Sequence, residues 1–292
     1  MEQTPIVAIL YDFDKTLCTT DMQNYGFIPS LGMKPSEFWA VANEFGKTNG
    51  MDGILAYMYT MIQQSKEKGL PLTRQSLQEK ARDMVLFDGV EDWFGRVNDY
   101  GARHGVTVEH YVLSSGLTEI IEGCPIHKQF KKVFASEFYY GADGAPIWPK
   151  LAVNFTAKTQ FVYRINKGVL DVSNDKDLND SMPDESKRVP FTNMIYIGDG
   201  LSDVPCMKMM RNYGGQAIAV YQEASRVGVE DLLAKGRVDY IFPADYRQGT
   251  ALDDTVEHII AAMAIRHRLG LESQRQLRTI GGDVLPNQAR LF

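Results

Sequence analysis

Cysteine is scarce in this chain and never paired: Cys18, Cys124 and Cys206 stand far apart, with no Cys-x-x-Cys among them. That excludes a zinc ribbon and a disulfide framework, and leaves buried, reduced thiols as the reading. The five histidines show no ligand spacing either. Long apolar runs are missing, and none approaches the ~20 residues that a membrane-spanning helix needs. Positive charge is nowhere concentrated. The net charge is −6, and Phe130-Lys131-Lys132 is too short to be a basic patch. Nucleic acid and anionic membrane are therefore disfavoured as partners. The first apolar run begins at Ile6, which leaves no room for a signal peptide, so a cytoplasmic protein is the expectation. Repeats and low-complexity tracts are absent as well.

What is present is enough apolar material for a sizeable core: 44% of the 292 residues are hydrophobic and 11% aromatic. Strand-like runs occur at Ile6–Tyr11, Val106–Leu113, Lys132–Tyr139, Asn193–Ile197, Gln216–Val220 and Asp239–Phe242. Helical patterns such as Val90–His104 and Asp203–Arg211 separate most of them. This alternation predicts an α/β fold, a doubly wound and mostly parallel sheet with helices on both faces. Residues 20–86 break the rhythm. Their apolar spacing is helical throughout (Phe38, Val41, Ala42, Phe45; Leu55, Met58, Tyr59, Ile62; Leu77, Ala81, Met84), and no strand is expected there.

The expected organisation is an α/β core of residues 1–19 and 87–270, a smaller all-helical cap at 20–86, and a tail at 271–292. Residues 171–190 read as a solvated surface loop. Tyr139, Tyr140 and Trp148, with Gly141 and Asp143-Gly144 between them, read as a β-hairpin. Thr250–Leu269 reads as a closing helix. The tail beyond it shows no clear period and would be either loose or docked on a neighbouring molecule, which leaves a homo-oligomer open.

Polar clusters follow the strands. Asp12 and Asp14 end the first one, in Asp12-Phe-Asp14-Lys-Thr16-Leu. Two aspartates two apart on a strand point to one side, at the sheet end where open α/β folds bind ligands. Two carboxylates so placed are costly unless a cation separates them or one keeps a proton. A divalent metal and an acid–base role would account for both. Ser114-Ser115-Gly116 follows Val112-Leu113 and precedes a short helical run at Leu117–Ile121, a good anion cradle of hydroxyl and N–H groups. Lys158 stands just inside a helix that Thr156 could cap, and is preferred over its neighbours Lys150, which follows a hairpin proline, and Lys167. Gly198-Asp199-Gly200-x-Ser202-Asp203 follows the strand at Asn193–Ile197.

In order and spacing, Asp-x-Asp-x-Thr, hydrophobics-Ser, Lys and Gly-Asp-Gly-x-x-Asp resemble the haloacid dehalogenase superfamily. The likeness is greatest to its phosphoserine-phosphatase-like phosphatases with a helical cap, and it covers residues 1–19 and about 87–245. The resemblance implies a magnesium-dependent phosphatase acting on a small phosphorylated metabolite. Asp12 would be the nucleophile that becomes an aspartyl phosphate, and Asp14 the general acid and base. Ser114, the N–H groups of Ser115 and Gly116, and Lys158 would hold the phosphoryl oxygens. Asp12, the Asp14 carbonyl and Asp199 would bind Mg2+, and Asp203 would bind a metal-bound water or orient Lys158. The second aspartate argues against dehalogenases and phosphonate-cleaving members, which lack it. The missing membrane helices argue against P-type ATPases, and length and insert against a response-regulator receiver. A phosphotransferase that uses another alcohol and a non-catalytic binder of a phosphorylated ligand remain as alternatives. Asn24, Tyr25, Asn43, Glu44 and Lys47 are the polar candidates for substrate contacts in the cap.

Overall fold

The computed structural model describes residues 4–280. The apolar run Ile6–Tyr11 is β1, and it lies in the middle of a seven-stranded sheet. The other strands are β2 (Thr107–Leu117), β3 (Lys132–Tyr140), β4 (Pro146–Leu151), β5 (Met194–Gly198), β6 (Gln216–Tyr221) and β7 (Tyr240–Pro243). Their order is β4-β3-β2-β1-β5-β6-β7, and every neighbouring pair is parallel except β3 with β4. β4 forms the expected hairpin, in which Tyr139 stands opposite Trp148. After β1 the chain builds outward on one side, then returns to add β5 on the other. The carboxyl end of β1 is therefore the switch point at which such sheets open a crevice.

Side-chain alternation along β1 divides the core in two. Val7, Ile9 and Tyr11 face one apolar cluster, whereas Ala8 and Leu10 face the other. The first cluster is covered by α5 (Val90–Arg103) and α11 (Ala251–Thr279), the second by α7 (Lys158–Lys167), α9 (Val204–Asn212) and α10 (Arg226–Ala234). One chain of buried polar groups crosses the first cluster. Trp93 Nε1 donates to the Tyr11 hydroxyl at 2.9 Å, which meets His110 Nδ1 at 3.0 Å, and His110 Nε2 meets Asn98 Oδ1 at 3.1 Å. With Trp93 donating to it, Tyr11 passes its own proton toward Nδ1, and Nε2–H serves Asn98.

Between β1 and β2 the chain is helical, as its spacing predicts. A 3₁₀ turn (Met22–Asn24) precedes α1 (Phe27–Ser30), α2 (Pro35–Asn49), α3 (Gly53–Glu67) and α4 (Arg74–Glu79). This segment leaves and rejoins the sheet through a narrow neck. Thr19 N–H donates to Val85 O and Phe87 N–H to Leu17 O, both at 3.0 Å, with Cys18 bridged antiparallel to Leu86 between them. Phe27, Phe38, Tyr57 and Met58 belong to the same buried cluster as Tyr11, Phe94 and Val256, so the helices pack into the core rather than beside it.

Two expectations need correction. The closing helix α11 does not stop at Leu269 but runs for 29 residues to Thr279. The turns past Ala264 are polar on most sides and bury no residue, so the apolar period that marks the first half is missing there. Of the expected tail, residues 281–292 lie outside the described residues. The segment 171–190 is more than a solvated loop. It carries α8 (Asp175–Asn179), and the buried guanidinium of Arg164 donates to the carbonyls of Asp171, Val172 and Asn174 and to the Asp175 carboxylate. The remaining short helix, α6 (Thr118–Glu122), follows β2.

Candidate active site

β1 ends at Tyr11, and the alternation that turns Ala8 and Leu10 toward α7 carries on to Asp12. There Lys158 waits, at the first position of α7. Its Nζ donates to Asp12 Oδ1 at 2.8 Å and to Asp203 Oδ1 at 2.7 Å, with all three side chains buried. Asp203, at the start of α9, is held further by the Tyr196 hydroxyl at 2.7 Å and by the N–H groups of Asp199 and Gly200 at 3.2 and 3.4 Å. A Cβ on Gly198 would sit 2.5 Å from Asp203 Oδ2, so only glycine lets the loop close over that carboxylate. The rival lysines are elsewhere: Lys150 pairs with Glu137 at 2.9 Å, and Lys167 caps the carbonyls of Leu178 and Asp180. Ala157 stands at the N-cap of α7 with no side-chain cap, and Thr156 does not serve as one; Asn154 orders the turn before it. Its Oδ1 accepts the Ala157 N–H at 2.9 Å, and the Thr156 hydroxyl only donates to the same oxygen.

Asp14 does not stay on the strand beside Asp12. It lies past the strand end and turns toward the helical segment, where its Oδ1 accepts the Met22 N–H at 2.8 Å and a weak contact from the Cys18 thiol at 3.8 Å. Between the two aspartates and the neck, Lys15 takes a left-handed conformation (φ 59°), and its ammonium pairs with Asp21 at 2.8 Å. The pair of aspartates thus divides its partners: Asp12 belongs to α7, Asp14 to the insert.

Ser114, Ser115 and Gly116 lie inside β2, which continues to Leu117, rather than in a turn before a helix. The pairing of β2 with β3 is irregular between Leu113 and Leu117, and this lets the polar tripeptide bulge within the strand. The buried Ser114 Oγ accepts the Gly116 N–H at 3.0 Å. A Cβ on Gly116 would meet Met22 Cε at 2.2 Å and Asp14 Oδ2 at 3.1 Å, which places Gly116 against the second aspartate. α6 is too short to offer a helix terminus of its own.

The electrostatics suit a bound cation. Burial, with Asp203 next in weight, pushes the Asp12 carboxyl up to about 6, although Lys158 works against both. Burial and then Asp12 push Asp199 up to about 8. Asp14 is held well above the usual carboxylate range by burial first, then by Asp21 and Asp12. Burial works to lower the Lys158 ammonium, but Asp12 and Asp203 outweigh it and hold the group above its ordinary value. Oxygens of Asp12, Asp199 and Asp203 lie within 4.8 Å of one another. Three carboxylates against one ammonium leave two negative charges, and the Asp199 carboxylate accepts no hydrogen bond among the described residues. A hard divalent cation fits that donor set.

The cap residues fare unevenly. Asn24 is engaged within the insert, accepting from Trp39 Nε1 at 3.0 Å and donating to Thr20. The Tyr25 hydroxyl ties the neck, accepting the Thr20 N–H at 2.9 Å and donating to Val85 O. Asn43, Glu44 and Lys47 are exposed on α2. Three residues near the site escaped the sequence reading: Tyr196, Met22 and Tyr57, whose hydroxyl donates to Ser115 O at 2.8 Å. Tyr196 had a signal, since its polar hydroxyl sits in an otherwise apolar buried strand two residues before Gly198. The other two look like ordinary core residues.

A family model described as haloacid dehalogenase-like hydrolase matches residues 9–208. An uncharacterized protein of Borreliella burgdorferi is 26% identical over 280 residues, covering 86% of this chain and 95% of its own length. Among solved structures, a HAD family hydrolase of Salmonella enterica serovar Typhi gives a TM-score of 0.55 at 13% identity, over 89% of this chain and 73% of that one. A substrate-bound phosphoserine phosphatase complex gives 0.55 at 15% identity, over 84% and 97%. A family match across more than half of the sequence, on a sheet that ends in this cluster of aspartates and lysine, leaves one conclusion: the chain belongs to the haloacid dehalogenase-like hydrolases, with a fold like that of phosphoserine phosphatase.

Proposed function

We propose that the chain is a magnesium-dependent phosphatase that hydrolyses a small phosphorylated metabolite through an aspartyl phosphate on Asp12. The observation that carries this reading is the bridge from Lys158 to Asp12 and Asp203 at the end of β1. Lys158 occupies Asp12 Oδ1, which leaves Oδ2 to attack phosphorus. Met22 occupies Asp14 Oδ1, which leaves Oδ2, on the Gly116 side, to protonate the leaving alkoxide. The upward shift of Asp14 keeps that proton in place until it is needed. Once the alcohol departs, the same carboxylate takes a proton from the water that attacks the aspartyl phosphate. Ser114, the N–H groups of Ser115 and Gly116, and Lys158 would hold the phosphoryl oxygens as charge redistributes. Mg2+, held by Asp12, Asp199 and the Asp14 carbonyl, with Asp203 behind them, would offset the negative charge of phosphate and carboxylates.

The helical insert, close to Asp14 through Met22, supports a small substrate over a folded phosphoprotein. The test is hydrolysis of p-nitrophenyl phosphate with and without Mg2+, followed by a panel of phosphorylated metabolites. Metal-dependent release of phosphate is expected. Phosphoryl transfer to an added acceptor alcohol would instead identify a phosphotransferase, and phosphate binding without turnover a non-catalytic member.

A further inference from the structure

The Ser115 carbonyl is where the helical insert and the sheet meet. It accepts the Tyr57 hydroxyl from α3 at 2.8 Å and the Ser136 hydroxyl from β3 at 3.3 Å. Tyr57 is 4% exposed and reaches this carbonyl across 58 residues of sequence. Ser136 in turn accepts the Val153 N–H at 3.1 Å, in the segment that leads to Lys158. α3 touches that segment too: Asp52, which caps its first turn, accepts from the Asn154 amide at 3.1 Å, and Asn154 accepts the Ala157 N–H just before α7.

The Ser115 carbonyl and the Gly116 N–H belong to one planar peptide unit, so they point in opposite directions and turn together. Two donors on the carbonyl fix the rotation of that plane, and with it the aim of the Gly116 N–H. In this structure that N–H points at Ser114 Oγ, beside Asp14. Without Tyr57 the carbonyl side of the plane would keep one longer bond from Ser136, and the N–H side its bond to Ser114, so the plane would be held less firmly.

We propose that Tyr57 is a positioning residue: seating α3 on the sheet fixes the Ser115–Gly116 peptide, and with it the Ser114 hydroxyl that the Gly116 N–H holds, so the insert completes the anion site instead of merely covering it. This rests on the phosphatase reading above, in which Ser114 and that N–H bind phosphate. Tyr57 touches no reacting atom and acts through the peptide plane. A bond supplied by the insert makes phosphate affinity conditional on its closure, which would couple substrate capture to assembly of the site.

The experiment compares Tyr57→Phe with the intact chain in Mg2+, measuring p-nitrophenyl phosphate turnover and inhibition by inorganic phosphate. The ring is kept and one donor lost, so kcat/KM and phosphate affinity should each fall about tenfold, as for one well-placed hydrogen bond. The thermal shift produced by Mg2+ should stay unchanged, because the metal ligands are untouched. Unchanged kcat/KM and phosphate affinity in an active, folded variant would overturn the proposal. So would a lower melting temperature with full activity per folded molecule, which is the mark of a purely structural role. If Tyr57→Phe does not fold, Ser136→Ala, which removes the other donor to the same carbonyl, is read by the same criteria. An intact chain with no turnover of any phosphate ester would instead reject the phosphatase reading, and this inference with it.

Discussion

Lys158 Nζ stands 2.7 Å from Asp203 Oδ1, and neither side chain is more than 1% exposed. A buried ammonium of this kind is stable only because its carboxylates come with it. Lys158→Ala should therefore cost about 3–5 kcal/mol of stability, the range for stranding one side of a buried ion pair. The Lys158→Ala, Asp203→Ala double variant should lose less than the two single losses added together. Urea unfolding of the three variants measures this directly, and strict additivity would show that the bridge contributes no coupling.

The two aspartates should fail differently. Asp12→Asn should abolish turnover while leaving the fold intact, since no acyl phosphate can form on an amide. Asp14→Asn should slow turnover by ~10²–10⁴, the usual share of general acid–base catalysis, with a smaller loss for p-nitrophenyl phosphate, whose leaving group needs no proton. Steady-state rates on an alkyl and an aryl phosphate separate the roles. Near-normal turnover by Asp12→Asn would exclude covalent catalysis.

Removing the metal should abolish activity, and Mg2+ should restore it. Metal bound only by the folded state adds stability by mass action, about 2.7 kcal/mol at a hundred times the dissociation constant. The melting temperature should rise with Mg2+ in the intact chain and much less in Asp199→Asn, which lacks the carboxylate with no protein partner. Thermal unfolding at several Mg2+ concentrations reads this without any substrate.

His110 should make the protein sensitive to acid. Burial pushes its imidazole down to about 3 from an ordinary value of 6.5. Below 6.5 the unfolded chain takes up a proton that the native state refuses, because Tyr11 and Asn98 already occupy both ring nitrogens. Its contribution is thus complete above about pH 6.5 and is lost progressively as pH falls toward 3. Denaturant midpoints between pH 7 and 4.5 should fall less steeply for His110→Gln than for the intact chain. Equal slopes would show that His110 is not responsible.

The clustering at the candidate site was legible because each part sits at the end of an element that the sequence declares. Asp12 follows six apolar residues, Asp199 follows Met194–Ile197, and Lys158 begins a helix of clear period. Ser114 was found but its setting was not: Ser-Ser-Gly reads as a turn, and only pairing with β3 keeps it in a strand through Leu117. The Asn154 bond to the Ala157 N–H was missed because Thr156 has equally good capping chemistry two residues later. Tyr57 was beyond reach, since at helical spacing it resembles Met58 or Met61 and its partner is 58 residues away. The overlong α11 was missed for the opposite reason, as its last turns have no buried face to leave a pattern.

The neck at Leu17–Thr19 and Val85–Phe87 has a consequence for how this architecture can vary. Its two hydrogen bonds already hold the ends of the insert side by side, so the sheet experiences the insert as a closed loop whatever its length. Closing a flexible loop twice as long costs only about 0.6 kcal/mol more. Natural exchange or laboratory grafting of a different lid at this hinge point should therefore leave the strand register alone. Besides the Met22 N–H on Asp14, the graft would need from its second long helix a hydroxyl that reaches Ser115.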